Sequence, residues 1–178
     1  EGLSFKDQEN YITREGDTRL ARKYIKELHP APGNRVCGLT QSGDMFVYQG
    51  RDLESYFKAD AFSFGNVVAV EPDIYSENQF WVGTTGDKLA KIKIENGTLQ
   101  VLKLLTMEGR HTINDMLLRP NGALLIATEN GVGYFDMQDN FHVVDQMQFN
   151  NSVENIMVDY EDNIWFSSSR MGVAKLTY

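Results

Sequence analysis

Apolar residues along this chain fall into short runs with two kinds of pattern. Runs such as "VVAVE", "INDMLL" and "VENIMV" are strand-like, with small and β-branched residues. Runs such as "QFWVG", "ALLIA" and "NIWFS" are apolar at consecutive positions, so both faces of those strands must be covered. Between the two kinds lie the turn-forming stretches "SENQ", "RPNG" and "YEDN", rich in Asn, Gly and Pro. After each doubly apolar run come a turn ending at Gly and an alternating run ("LAKIKI", "GVGYFDM"), and then a more polar one ("LQVLKLL", "FHVVDQM") suited to an outer edge.

This order repeats. Anchored on the doubly apolar run, Trp81, Leu125 and Trp165 correspond at spacings of 44 and 40 residues, and Phe46 takes the same position in a weaker copy 35 residues earlier. Four strands about every 40 residues, with inner strands buried on both faces, predict an all-β fold: a β-propeller of about four four-stranded antiparallel blades. The expected boundaries are 34–65, 66–110, 111–151 and 152–178, with residues 1–33 supplying strands of a preceding blade or a closing segment. The stretch "TRLARKYIKELH" has a helical period with Asp17-Thr18 as a possible cap, yet it reads equally as a strand after a hairpin at Glu15 to Asp17. The last copy ends without its outer strand, so a partial, open propeller is favoured over a ring closed by the N-terminal strands.

Composition is that of a globular domain, with 42% hydrophobic and 24% charged residues in 178. The formal net charge of -8 argues against nucleic-acid binding, which depends on Lys and Arg neutralising phosphates. No run of 18 apolar residues occurs, so this segment is not expected to insert in a membrane, and "EGLSFKDQEN" has neither the basic start nor the apolar core of a signal peptide. Cys37, the one cysteine, lies in "NRVCGLT" and reads as an inert packed thiol.

Catalytic and metal chemistry find little support. His29, His111 and His142 lack metal-ligand spacing, "DYEDN" lacks the Gly and distal Glu of a calcium loop, and "GTTGDK" is too short for a phosphate loop and precedes a strand. Ser167, Ser168 and Ser169 have no nucleophile elbow around them. No cofactor and no catalytic residue is therefore expected, and both tryptophans are expected in packing roles. A polar ligand would meet the face that gathers the second-to-third-strand turns and the links between blades. Arg110, His111, Glu129, Asn130, Asn150, Asn151 and Arg170 are the candidates there, through charge-assisted and amide hydrogen bonds.

The stretch "VENIMVDYEDNIWFSSSRMGVAKL" resembles the two-component regulator propeller repeat, through Asp162-Asn163, Ile164-Trp165-Phe166, Ser167 to Ser169 and Gly172-Val173. "NQFWVGTTGDKLAKI" is similar to it through Trp81-Val82-Gly83-Thr84, and "GALLIATENGVGYFD" through Ala127-Thr128 before Gly131, with Leu125 in place of the tryptophan. The resemblance covers roughly residues 34 to 178. It implies a non-catalytic extracytoplasmic sensor segment of a membrane-anchored bacterial signalling protein, such as a hybrid histidine kinase or diguanylate cyclase, recognising a glycan or other polar ligand. Such sensors usually hold far more repeats, which implies self-association or further blades on the exposed faces. A protein interaction scaffold and a propeller lyase or hydrolase are the alternatives.

Overall fold

The computed structural model describes residues 4–7, 10–13, 19–107, 109, 112–144 and 151–177. β1 (Ser4–Asp7) and β2 (Asn10–Thr13) form a hairpin that, among the described residues, pairs with no other strand. Four antiparallel meanders follow. The first contains β3 (Ile25–Ala31), β4 (Arg35–Thr40), β5 (Met45–Gln49) and β6 (Asp52–Phe57). The second contains β7 (Val67–Pro72), β8 (Gln79–Thr84), β9 (Lys88–Glu95) and β10 (Thr98–Thr106). The third contains β11 (Ile113–Leu118), β12 (Leu124–Thr128), β13 (Gly131–Phe135) and β14 (Phe141–Val143). The fourth has three strands, β15 (Asn155–Val158), β16 (Ile164–Ser168) and β17 (Gly172–Leu176).

One turn chemistry recurs. The segments Thr40 to Asp44, Arg119 to Ala123, Asp136 to Asn140 and Asp159 to Asn163 each close with the same pair of backbone hydrogen bonds, first residue to fifth and fourth to first. The fourth residue is left-handed each time: Gly43 and Gly122, where no Cβ resists that conformation, and Asp139 and Asp162, whose short polar side chains tolerate it. The "DYEDN" stretch is such a turn. Asp159 Oδ1 accepts from the backbone N–H groups of Glu161 and Asn163 and from Asn163 Nδ2.

The doubly apolar strands are second strands; those of the second and third sheets are covered on two sides, and that of the fourth on one. Leu39, Val47, Val70, Phe80 and Ile92 belong to a core between the first two sheets. Trp81, Met116, Leu124 and Phe135 belong to one between the second and third, and Leu125, Val132, Ile156 and Phe166 to one between the third and fourth. Fit is close: a Cβ on Gly83 of β8 would stand 2.7 Å from Ile113 Cγ2 of the next sheet, so that site admits only glycine without a shift.

Among the described residues, no buried apolar cluster joins the fourth sheet to the first. The sheets form an arc of propeller blades rather than a ring closed by the N-terminal strands. Its last face is open: Met157 and Val173 are 57% and 66% exposed beside a half-buried Trp165.

The first blade departs from its expected phase. Its innermost strand is β3, inside the segment assigned to 1–33, and Phe46 lies on β5, a third strand. The buried hydroxyl residues ending the second strands, Thr40, Thr84, Thr128 and Ser168, show the true register. Cys37 therefore stands where Trp81, Leu125 and Trp165 do. Of "TRLARKYIKELH", the described residues 19–29 are a turn followed by that inner strand, with no helix.

Candidate functional site

The links between blades and the second-to-third-strand turns are laced together at one end of the arc. Thr85 N–H donates to Asn66 O, Thr112 Oγ1 to Thr85 O, Glu129 N–H to Thr112 O, and Val153 N–H to Thr128 O. Asn114 Nδ2 reaches Ser152 Oγ and Val153 O, and the Glu154 carboxylate takes both the N–H and the hydroxyl of Ser169 at 2.7 and 2.9 Å. The buried hydroxyls of the repeat shape the turns themselves. Thr128 Oγ1 accepts the Asn130 N–H and donates to Gly131 O, while Ser168 Oγ accepts from the N–H groups of Arg170 and Met171.

Four of the predicted ligand residues are found here. Glu129 and Asn130 share the β12–β13 turn, Asn151 sits at the entry to the fourth blade, and Arg170 is on the β16–β17 turn; all but the half-buried Asn151 are exposed. Arg110, His111 and Asn150 lie outside the described residues. The other two histidines hold local contacts. His142 stacks on Tyr134 with centroids 4.9 Å apart and bonds Asp136, and His29 lies on the axis described next.

A second constellation was not singled out from the sequence. In each of the second, third and fourth blades, a carboxylate from the preceding blade meets a backbone N–H of the innermost strand that the sheet leaves unpaired. Glu27 Oε1 accepts from Val70 N–H at 3.1 Å, Glu71 Oε1 from Leu118 N–H at 2.9 Å, and Asp115 Oδ2 from Ile156 N–H at 2.7 Å. The His29 ring stands between the first two acids, 3.3 Å from Glu27 and 3.4 Å from Glu71. Burial pushes Glu71 up to about 7 against the pull of the Leu118 N–H, and raises Asp115 likewise. For His29 burial acts downward, but its bond to Glu27 and the charges of Glu71, Glu27 and Asp115 outweigh it and raise the ring. This column can hold a proton on the axis near neutral pH. Among the described residues no group of three or more His, Cys, Asp or Glu side chains is arranged to hold a metal ion. The available signal was an acid inside the first strands of the first three blades, in "KELHP", "VEP" and "NDMLL".

Antiparallel blades, inner strands adjacent about an axis and a polar loop face at one end define an arc of a β-propeller. Solved structures share this fold. The extracellular domain of the hybrid two-component system BT3049 of B. thetaiotaomicron superposes with a TM-score of 0.69 at 18% identity, over 97% of this chain and 26% of its own. The extracellular domain of the hybrid two-component system BT4673 from the same organism gives 0.66 at 20%, over 99% and 25%. The WD40 β-propeller domain of Doa1 gives 0.64 at 11%, over 86% and 50%. The chain thus spans about a quarter of the length of the two B. thetaiotaomicron domains. Those two are extracellular domains of the class of signalling protein whose repeat this sequence resembles. Neither a family model nor a curated protein matches the sequence. At these identities the likeness establishes architecture, and the Doa1 domain shows that the architecture serves unrelated systems.

Proposed function

We propose that this chain is a non-catalytic recognition segment of an extracytoplasmic sensor, part of a membrane-anchored two-component-type receptor, which engages a polar ligand such as a glycan through its loop face. The observation that carries the reading is the construction of that face. Exposed Glu129, Asn130 and Arg170 project from turns whose backbones are fixed by buried hydroxyls, so little conformational freedom is lost when they bind. The extracellular origin of the B. thetaiotaomicron structures supports the location and the sensor role. Among the described residues no helix is long and apolar enough to cross a membrane.

Thermal shift against a panel of oligosaccharides tests this. A stabilising glycan whose effect is lost in Arg170→Ala and Asn130→Ala, each with an unchanged melting temperature alone, is the expected result. A panel without any response sinks the ligand reading. A second reading, self-association or partner binding through a blade face, is favoured by the open fourth sheet, where Met157 and Val173 flank Trp165. Sedimentation at several concentrations, with and without Val173→Glu, separates it from the first.

A further inference from the structure

At the end of the blades opposite the loop face, a cleft of about 230 Å³ opens between the second and third sheets. The first-to-second-strand turns and the third-to-fourth-strand turn build it. It is independent of the loop face and of the function proposed for it. On the second sheet, Trp81, Lys91 and Lys103 form one row in register across β8, β9 and β10, and both lysines line the cleft. Lys91 Nζ lies 2.6 Å from Asp73, and Lys103 bonds Asp139 from the facing blade. Leu118, Leu124, Phe135 and Met137 supply an apolar wall.

Trp81 carries an anomaly. Its residue is 8% exposed, and its indole Nε1–H is buried without a hydrogen-bond partner, a state that costs free energy. The fourth blade repeats the same row with the opposite result. Trp165 Nε1 donates to Asp159 at 2.7 Å, while Lys175 lies 5.1 Å over the Trp165 ring and leans toward Glu161. In the second blade Lys91 occupies the same place, 5.3 Å over the Trp81 ring, but has drawn the corresponding carboxylate, Asp73, onto itself. Asp73 Oδ1 accepts the Tyr75 N–H, as Asp159 Oδ1 accepts turn N–H groups, and Asp73 Oδ2 is held by Lys91 where Asp159 Oδ2 serves the indole.

We propose that this cleft binds a small organic carboxylate. The ligand's anionic oxygens take the ammonium groups of Lys91 and Lys103, each of which has donors beyond the one given to its aspartate. Asp73, relieved of Lys91, turns to the Trp81 N–H and adopts the arrangement Asp159 already shows. The indole nitrogen has almost no accessible surface, so the aspartate rather than the ligand completes it. The cleft volume is that of roughly eight waters at ~30 Å³ each, which limits the ligand to about the size of one sugar ring or one benzene ring with its acid group.

The chain's two indole N–H groups make the test direct. ¹⁵N-labelled full chain, with Trp165→Phe used for assignment, is titrated with D-glucuronate and with benzoate, each beside a neutral counterpart, D-glucose and benzamide. The Trp81 indole resonance should move saturably toward the position of the carboxylate-bonded Trp165 with at least one acid and with neither neutral compound. Lys91→Met frees Asp73 without a ligand, so it should set the Trp81 resonance near that of Trp165 from the start and leave the acids no further movement to cause. Lys103→Met, at the half-exposed rim where folding is not at stake, should weaken the response measurably. No saturable movement with either acid, equal movement with the neutral counterpart, or an unchanged response in both lysine variants would overturn the proposal. Because the two sites share no residue, a glycan stabilisation that survives Lys91→Met keeps the loop-face reading standing even where the Trp81 titration overturns this proposal.

Discussion

Raising the pH from about 5 to about 8 should destabilise this protein, and Glu71→Gln should remove most of that loss. The cause is the axial column. A glutamate in the unfolded chain titrates near 4.5, whereas burial holds Glu71 up to about 7 in the fold. Its contribution is complete below 4.5 and is lost as pH rises through about 7. Asp115 and His29 are raised too and act in the same sense, while Asp136 and Asp159, held down at about 2, finish titrating below this window. At about 1.4 kcal/mol per pH unit, Glu71 alone accounts for about 3 kcal/mol. For a chain of this size that corresponds to a fall of roughly 6–12 °C in melting temperature. Glutamine keeps a carbonyl for the Leu118 N–H and offers an amide toward His29, so the variant should match the parent at the acid end and exceed it at the alkaline end. Thermal unfolding followed by circular dichroism at both pH values, for both proteins, measures the difference. A variant that loses as many degrees as the parent would refute the assignment of the proton to Glu71.

Three further outcomes follow from other parts of the fold. Cys37 is fully buried, and desolvation with the nearby charges of Glu71 and Glu27 pushes its thiol well above the ordinary range, so a thiol-reactive dye should label it only at the rate of unfolding. Phe166→Ala empties a 1% exposed site in the core between the last two blades and should cost about 3–5 kcal/mol in urea denaturation, with m unchanged if the blades unfold together. Asp159→Ala deletes the acceptor of the Trp165 N–H and of three donors in its turn; the indole should then emit further to the red, whereas an unchanged spectrum would mean that packing alone holds it.

Legibility from sequence tracked how completely a residue's environment is set by its own strand. The second strands of blades two and three were readable because burial on both faces demands consecutive apolar residues, as in "QFWVG" and "ALLIA", and blade four repeats the pattern in "NIWFS" although one of its faces is open. The first blade misled for the same reason. Its third strand, "MFVYQ", is the most apolar stretch nearby because Leu20 packs on Phe46 and Tyr48 on the far side, while its true second strand, "RVCGLT", puts Cys37 at the tryptophan position. Its first strand, "IKELHPA", alternates with charged residues and a proline and so resembles a loop or an outer edge. The less prominent marker was the better one: Thr40, Thr84, Thr128 and Ser168 keep the register at 44, 44 and 40 because a buried hydroxyl must serve the following turn wherever a blade turns there.

The site was legible only where it depends on local order. Glu129, Asn130, Asn151 and Arg170 could be placed on one face by counting strands, because alternate turns of a meander lie at the same end. The axial acids and the cleft depend on which blade stands beside which. Glu71 reads as an ordinary polar position until Leu118 of the next blade presents its N–H, and Asp73 reads as a turn residue until Lys91 and Trp81 compete for it. A repeat also supplies its own control, since the same row of side chains occurs twice in different company. Trp81 and Trp165 each carry a lysine over the ring, but Lys175 leans toward Glu161 while Lys91 holds Asp73, and that difference in the company of the row, rather than any single residue type, marks the cleft between the second and third blades as a place where something is missing a partner.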